Sequence, residues 1–134
     1  MIQIDDEILT ELSDAVRAIF PDIFITSTLV PAPSSFPCLS FVEQNNATLR
    51  RTQTQDVREN HATIMYQIDV FSNKKSGKRG ECKKIFEVAD IAMQDLGFTR
   101  LFLNPVPNLE DASIYRMTGR YQAVVGKDKM IYRG

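Results

Sequence analysis

The stretch from His61 to Phe98 reads HATIMYQIDVFSNKKSGKRGECKKIFEVADIAMQDLGF, and its apolar period changes halfway along. In the first part Ile64, Tyr66, Ile68 and Val70 alternate with Thr63, Met65, Gln67 and Asp69, the two-residue spacing of a strand with one apolar face. From about Lys78 to Leu96 the spacing becomes three and four. Cys82, Ile85, Phe86, Ala89, Ala92, Met93 and Leu96 then form a helical stripe. Gly97 stands where a left-handed C-terminal cap belongs. A strand and a helix with one apolar side each must bury those sides against one another, which predicts layers.

Upstream, Ile8, Leu9, Leu12, Ala15, Val16, Ile19 and Phe20 recur at helical spacing. Asp5 is placed to cap this helix, Asp6 and Glu7 suit the positive end of its dipole, and Pro21 stops it. Two strands are expected next, Ile23–Val30 and Cys38–Gln44. Between them PAPSSFP carries three prolines in seven residues, which forbids regular pairing there. The polar run NNATLRRTQTQDVRE, Asn45–Glu59, exceeds a tight hairpin, and loops beyond ~12 residues usually have a function or remain disordered.

Downstream, Thr99–Asn104 reads as a short strand and PVPNLED as a proline-rich turn. Ser113–Val125 alternates with Tyr115, Met117, Tyr121, Ala123 and Val125 on one side. Gly126-Lys127-Asp128 turns the chain into a last strand, Lys129–Tyr132. The order α-β-β-β-α-β-β-β predicts an α+β fold: a two-layer sandwich, a mainly antiparallel sheet with two helices packed on one face.

With 134 residues, the chain is expected to form a single domain, 1–134, with the long polar loop at 45–59. Its 43% hydrophobic and 25% charged residues are ordinary for a globular protein. A net charge of −1 gives no global attraction to polyanions, so nucleic acid is not expected as a specific ligand without a local patch. Cys38 and Cys82 match no disulfide framework or zinc spacing and suit a reducing compartment; His61 is the lone histidine. The N-terminal MIQIDDEILT has neither a basic region nor a long apolar run, so no signal peptide is expected. No stretch approaches the ~20 apolar residues of a membrane span, and no membrane partner is expected.

Charge is unevenly placed. From Asp5 to Asp22 six acidic residues stand against one basic, Arg17, giving −5. From Ser72 to Lys84 six basic residues stand against Glu81, giving +5. Asp5, Asp6, Glu7, Glu11 and Asp14 on the first helix, and Lys74, Lys75, Lys78, Arg79, Lys83 and Lys84 at the start of the second, are therefore candidate contact residues. Arg50, Arg51 and Arg58 in the polar loop join them. If the two flanks face different directions, copies can join head to tail, and such contacts close into rings when the rotation permits. If they lie close, they neutralise each other within one subunit.

Basic side chains at a helix N-terminus oppose its dipole by a few tenths of a kcal/mol each, so local propensity does not explain them. A solvated face, a protein contact and a nucleic-acid contact all remain readings of the run. Single-stranded nucleic acid needs exposed rings, and the flanking Phe71 and Phe86 are assigned to strand and core. No enzymatic activity is expected. Asp69, Glu81 and Lys83 lack the carboxylate–x–Lys element of a metal nuclease on a second strand. His61 has no nucleophile motif or phosphate loop beside it, and Cys82 lies on the buried stripe.

Four strings carry a family likeness: YQIDVFSNKK (Tyr66–Lys75), the Lys-rich helix ending in LGF (Leu96–Phe98), YRMTGRYQAVV (Tyr115–Val125) and IYR (Ile131–Arg133). Spanning about Ile64 to Arg133, the chain resembles the tail terminator, or tail completion and tail-to-head joining, proteins of long-tailed phages and prophages. The resemblance implies an oligomeric ring, usually hexameric, that caps the finished tail tube in the virion after assembly in the bacterial host cytoplasm. It implies as partners the protein itself, the major tail tube protein and head connector proteins, and it implies no cofactor. The alternatives are a nucleic-acid-binding module using residues 72–84, and another head–tail connector component such as a head-completion protein.

Overall fold

In the computed structural model, which describes residues 1–28, 33–48, 61–107 and 113–133, the central element is β3 (His61–Ser72). On either side of it in the chain come α1 (Asp5–Arg17), β1 (Phe24–Thr26) and β2 (Cys38–Thr48), then α2 (Lys78–Asp95), β4 (Thr99–Val106), β5 (Tyr115–Gly126) and β6 (Ile131–Arg133). The sheet order is β1-β2-β3-β5-β4, and β6 also pairs with β5. Because β3 occupies one side of β5 along its whole length, β4 and β6 share the other, β4 beside Arg116–Gln122 and β6 beside Ala123–Val125. Both helices pack on one face, which makes the two-layer α+β sandwich that the element order predicts.

The stripe on α2 behaves as its spacing requires. Cys82, Ile85, Phe86, Ala89 and Met93 are buried against Ile64, Ile68, Val70, Tyr121 and Ala123 of the sheet, with Ala92 and Leu96 at the margin. The helix ends in a Schellman arrangement. Phe98 N–H bonds to the Met93 carbonyl at 3.0 Å, Gly97 N–H to that of Gln94 at 3.0 Å, and Gly97 has φ +101°. Phe98 and Met93 are both buried, the apolar contact that completes the motif.

Several boundaries differ from expectation, each for a local reason. Asp5 does not cap α1: Ile2 and Ile4 are drawn into the core and Ile8 N–H already bonds to the Ile4 carbonyl, so Asp5 lies inside the first turn. The helix stops at Arg17, and Ile19, expected on the apolar face, is 61% exposed. The strand expected at Ile23–Val30 is only three residues long among those described, and it runs parallel to β2. Parallel neighbours need a crossover, and the proline-rich connection supplies it. Its described parts lie on the face away from the helices, where Ser40 Oγ donates to the Thr28 carbonyl and Phe36 packs with Cys38, Phe71 and Ile114.

The polar run expected as a loop from Asn45 continues β2 to Thr48, across an irregularity between Glu43 and Asn45. The remainder of that run, with Arg50, Arg51 and Arg58, lies outside the described residues. At the other edge β4 extends through Pro105 to Val106, where a turn was expected; proline is tolerated because β4 is an edge strand.

On β5 the backbone at Gly119 touches the Phe86 ring, and a Cβ there would stand 3.0 Å from it and 3.3 Å from the Phe102 carbonyl oxygen. Gly80, in the first turn of α2, has nothing within 4 Å of its would-be Cβ. Gly119→Ala should therefore lower stability by about 1–3 kcal/mol through overpacking. Gly80→Ala should raise it by about 0.4–1 kcal/mol by restricting the unfolded chain. Urea midpoints at constant slope check both signs.

Candidate functional site

The first turns of the two helices sit at opposite ends of the sheet. Asp5, Asp6 and Glu7 begin α1 near the β5–β6 turn, where Lys129 Nζ lies 2.7 Å from Glu7 Oε1. That turn follows Gly126, the partner of His61 at the start of β3. The basic segment follows Ser72, the far end of β3, and Lys78 Nζ donates to the Ser113 carbonyl just before β5 begins. Eleven residue-to-residue steps of strand lead from His61 to Ser72, so the two ends stand on the order of 30 Å apart. Salt screens exposed charges beyond ~8 Å, so the ends do not neutralise one another.

At the acidic end the charges crowd. Asp5, Asp6, Glu7, Glu11 and Asp14 are all exposed, and among the described residues only Glu7 of these five has an ion-pair partner. Glu11 and Asp14 lie one and two turns further along α1, which runs toward the other end of the sheet, where β1 begins beside Cys38. The hydrogen bond from Lys129 holds the Glu7 carboxyl below the usual carboxylate range. Glu43, opposite Tyr66 on the helix-covered face, has its pKa pushed up, first by burial and then by the negative charge of Asp5. Asn46 bonds to both Glu43 and the Ile2 carbonyl, fixing the chain ahead of α1 against β2.

At the basic end part of the charge is used internally. Glu81, the lone acid there, receives Ser72 Oγ at 2.7 Å on one oxygen and Lys74 Nζ at 3.2 Å on the other. Lys75, Arg79, Lys83 and Lys84 are exposed and, among the described residues, have no ion-pair partner. No ion pair among those residues joins the acidic set to the basic set. Phe71 and Phe86, the rings flanking this segment, are buried, so neither offers a surface on which a base can stack.

The densest polar constellation lies elsewhere and was not legible as a cluster in the sequence. On the face away from the helices, Asp69 is fully buried; Arg116 Nε lies 2.9 Å from its Oδ1, Thr118 Oγ1 donates to the same oxygen, and Gln67 Nε2 donates to Oδ2 at 2.9 Å. Arg120 Nε in turn donates to Gln67 Oε1 at 3.1 Å, and Arg116 lies over the Phe71 ring at 5.6 Å. Both Asp69 oxygens are engaged by side chains of β3 and β5, which is how a structural ion pair is built. A second hub, Asp90, accepts the Tyr121 hydroxyl at 2.8 Å and Gln94 at 2.6 Å, and pairs with Arg100 at 3.2 Å.

The thiols are likewise structural. Burial pushes Cys38 up to about 11 and Cys82 up to about 12, with Asp69 and Glu81 adding smaller contributions of the same sign. Neither is a nucleophile near neutral pH. Among the described residues no three His, Cys, Asp or Glu side chains converge to hold a metal ion, and no helix is long and apolar enough to cross a membrane. The chain matches no protein-family model and no curated protein.

Removing the buried anion in Asp69→Ala strands Arg116 and Gln67 and should cost about 3–5 kcal/mol. Lys74→Ala breaks a solvent-screened pair and should cost less than about 1 kcal/mol. Chemical denaturation distinguishes these magnitudes.

Because the Glu43 pKa is raised in the folded state, its charged form is penalised there. The penalty is present above the folded value and vanishes as pH falls below the ordinary carboxylate range, near pH ~4. Glu43→Gln should therefore raise the melting temperature at neutral pH and lose that advantage in acid, which a pH series of thermal melts reads directly.

Proposed function

We propose that this chain is a structural assembly protein of a phage or prophage tail, which caps the tail tube as a ring of identical subunits and works through protein contacts. The observation that supports this reading most is the charge placement. Four cations with no ion-pair partner among the described residues stand at one end of the sheet and the acidic first turn of α1, Asp5, Asp6 and Glu7, at the other, held apart by β3 and β5. Glu43 and Asp5 are kept together although their repulsion disfavours the folded state. Charge held against local stability is what a contact surface needs when complementary charge arrives with a partner.

Around these ends the polar side chains form structural hubs, and the thiols are buried and inert. The likeness of Tyr66–Lys75, Leu96–Phe98, Tyr115–Val125 and Ile131–Arg133 to tail terminator proteins supplies the biological setting. In that setting subunits join head to tail, one end of the ring meets the last layer of tail tube protein and the other meets the head connector. Charge at each end speeds docking and sets its orientation.

Deletion of the gene from the virus or prophage that carries it tests the reading. Tails of excess and irregular length, without heads, are the expected result. An unchanged distribution of tail lengths together with joined heads overturns the proposal. Tails of normal length lying beside unjoined heads would instead place the protein on the head side of the junction.

A further inference from the structure

Resting on the ring reading, we infer where neighbouring copies meet: the α1–β1 corner of one copy docks on the β4 edge of the next, with Ile19 in the groove between α2 and β4 and Phe24 against Phe102 on the other face of the sheet. The groove has a volume of about 260 Å³, with Phe86, Leu103 and Met117 as its apolar floor and Lys83 and Glu87 on its helical rim. A cavity of ~150 Å³ already accommodates a benzene ring, so there is room for an aliphatic or aromatic side chain from outside.

Three features of this chain select its own α1–β1 corner as the occupant. The first is position. Registers run from Phe24 to Cys38, Cys38 to Phe71, Phe71 to Arg116 and Arg116 to Val106, so β1 and the end of β4 lie at one height on opposite edges of the sheet. The groove begins one residue along, at Met117, within a few ångströms of that height.

The second is surface character. The corner exposes Ile19 by 61% and Phe24 by 37%, and the opposite edge exposes Leu101 and Phe102. Phe24 shares the face of Cys38 and Phe102 that of Arg120, both away from the helices, so these two rings stand on the same face at opposite edges. Ile19 follows α1 and so stands in the helical layer, the layer that contains the groove. The third is charge: Asp22 sits in the corner, exposed, while Lys83 on the groove rim and Arg79 one turn away have no ion-pair partner among the described residues. Two different patches on opposite edges make a heterologous contact, the kind that propagates around a ring instead of closing as a dimer.

Complementation of two surface variants tests the contact. Ile19→Ser/Phe24→Ser removes the corner's apolar side chains, and Glu87→Trp lays an indole across the groove; all three positions are exposed, and unchanged urea midpoints verify folding. Sedimentation velocity over a concentration series should show wild-type chain assembling and each variant monomeric. An equimolar mixture of the two retains one intact corner and one intact groove, so it should stop at a one-to-one dimer. Wild-type assembly that persists in both variants overturns this contact and leaves the ring reading standing. A wild-type chain that stays monomeric throughout the series overturns both.

Discussion

Asp69 and Thr118 face each other across β3 and β5, and their hydrogen bond belongs to a set of three cross-strand pairs that decides how the two longest strands align. A one-residue slip is excluded by burial, because it turns Ile64, Tyr66 and Ile68 away from the helices. A two-residue slip keeps every apolar face in place, and the pattern of burial cannot exclude it. That slip would separate Gln67 from Arg120, Asp69 from Thr118 and Phe71 from Arg116 together. Such a slip would bring Arg116 or Arg120 opposite Asp69 in place of Thr118. The fully buried carboxylate would then lose the arrangement in which Arg116, Thr118 and Gln67 all donate to it, and a buried ion with incomplete donors is costly.

From that alignment the rest follows in order. Strand β3 ends at Ser72, whose hydroxyl holds Glu81 in the first turn of α2. Helix α2 then returns over β3 and β5 and is stopped at Gly97, against the side chain of Ile131 in β6. Helix α1 packs beside α2 and is tied by Glu7 to Lys129, at the opposite end from the basic segment. The separation of acid from base is thus a product of strand length and register, while the side chains that carry the charge contribute little to holding the fold.

Much of this architecture was legible in the sequence because it is periodic. The two-residue alternation of Ile64–Val70 and the stripe from Cys82 to Met93 place β3 and α2 nearly to the residue, and Gly97 marks the cap. What escaped is set by contacts distant in the chain. Two of the three side chains that donate to Asp69 come from a strand 47 and 49 residues away, and Glu7 finds its partner 122 residues on. Asp5 is displaced from the cap position by the burial of Ile2 and Ile4, which local spacing does not reveal. The parallel pairing of β1 depends on a proline-rich crossover that reads, by composition, only as a linker. The candidate acidic and basic residues of the two helices were legible as charge runs; their mutual placement was not, since it depends on where β3 begins and ends.

The central claim is that the acidic first turn of α1 and the basic first turn of α2 are held apart within one chain. Spin labels on cysteines introduced at the exposed positions Asp6 and Arg79, diluted into unlabelled protein, measure that separation by electron–electron double resonance. Cys38 and Cys82 are buried and need not be removed. A distance distribution centred on the order of 30 Å, as the rise along β3 requires, is the predicted result. A distribution centred at half that value or less would mean that the two charged turns lie side by side, and would contradict the account.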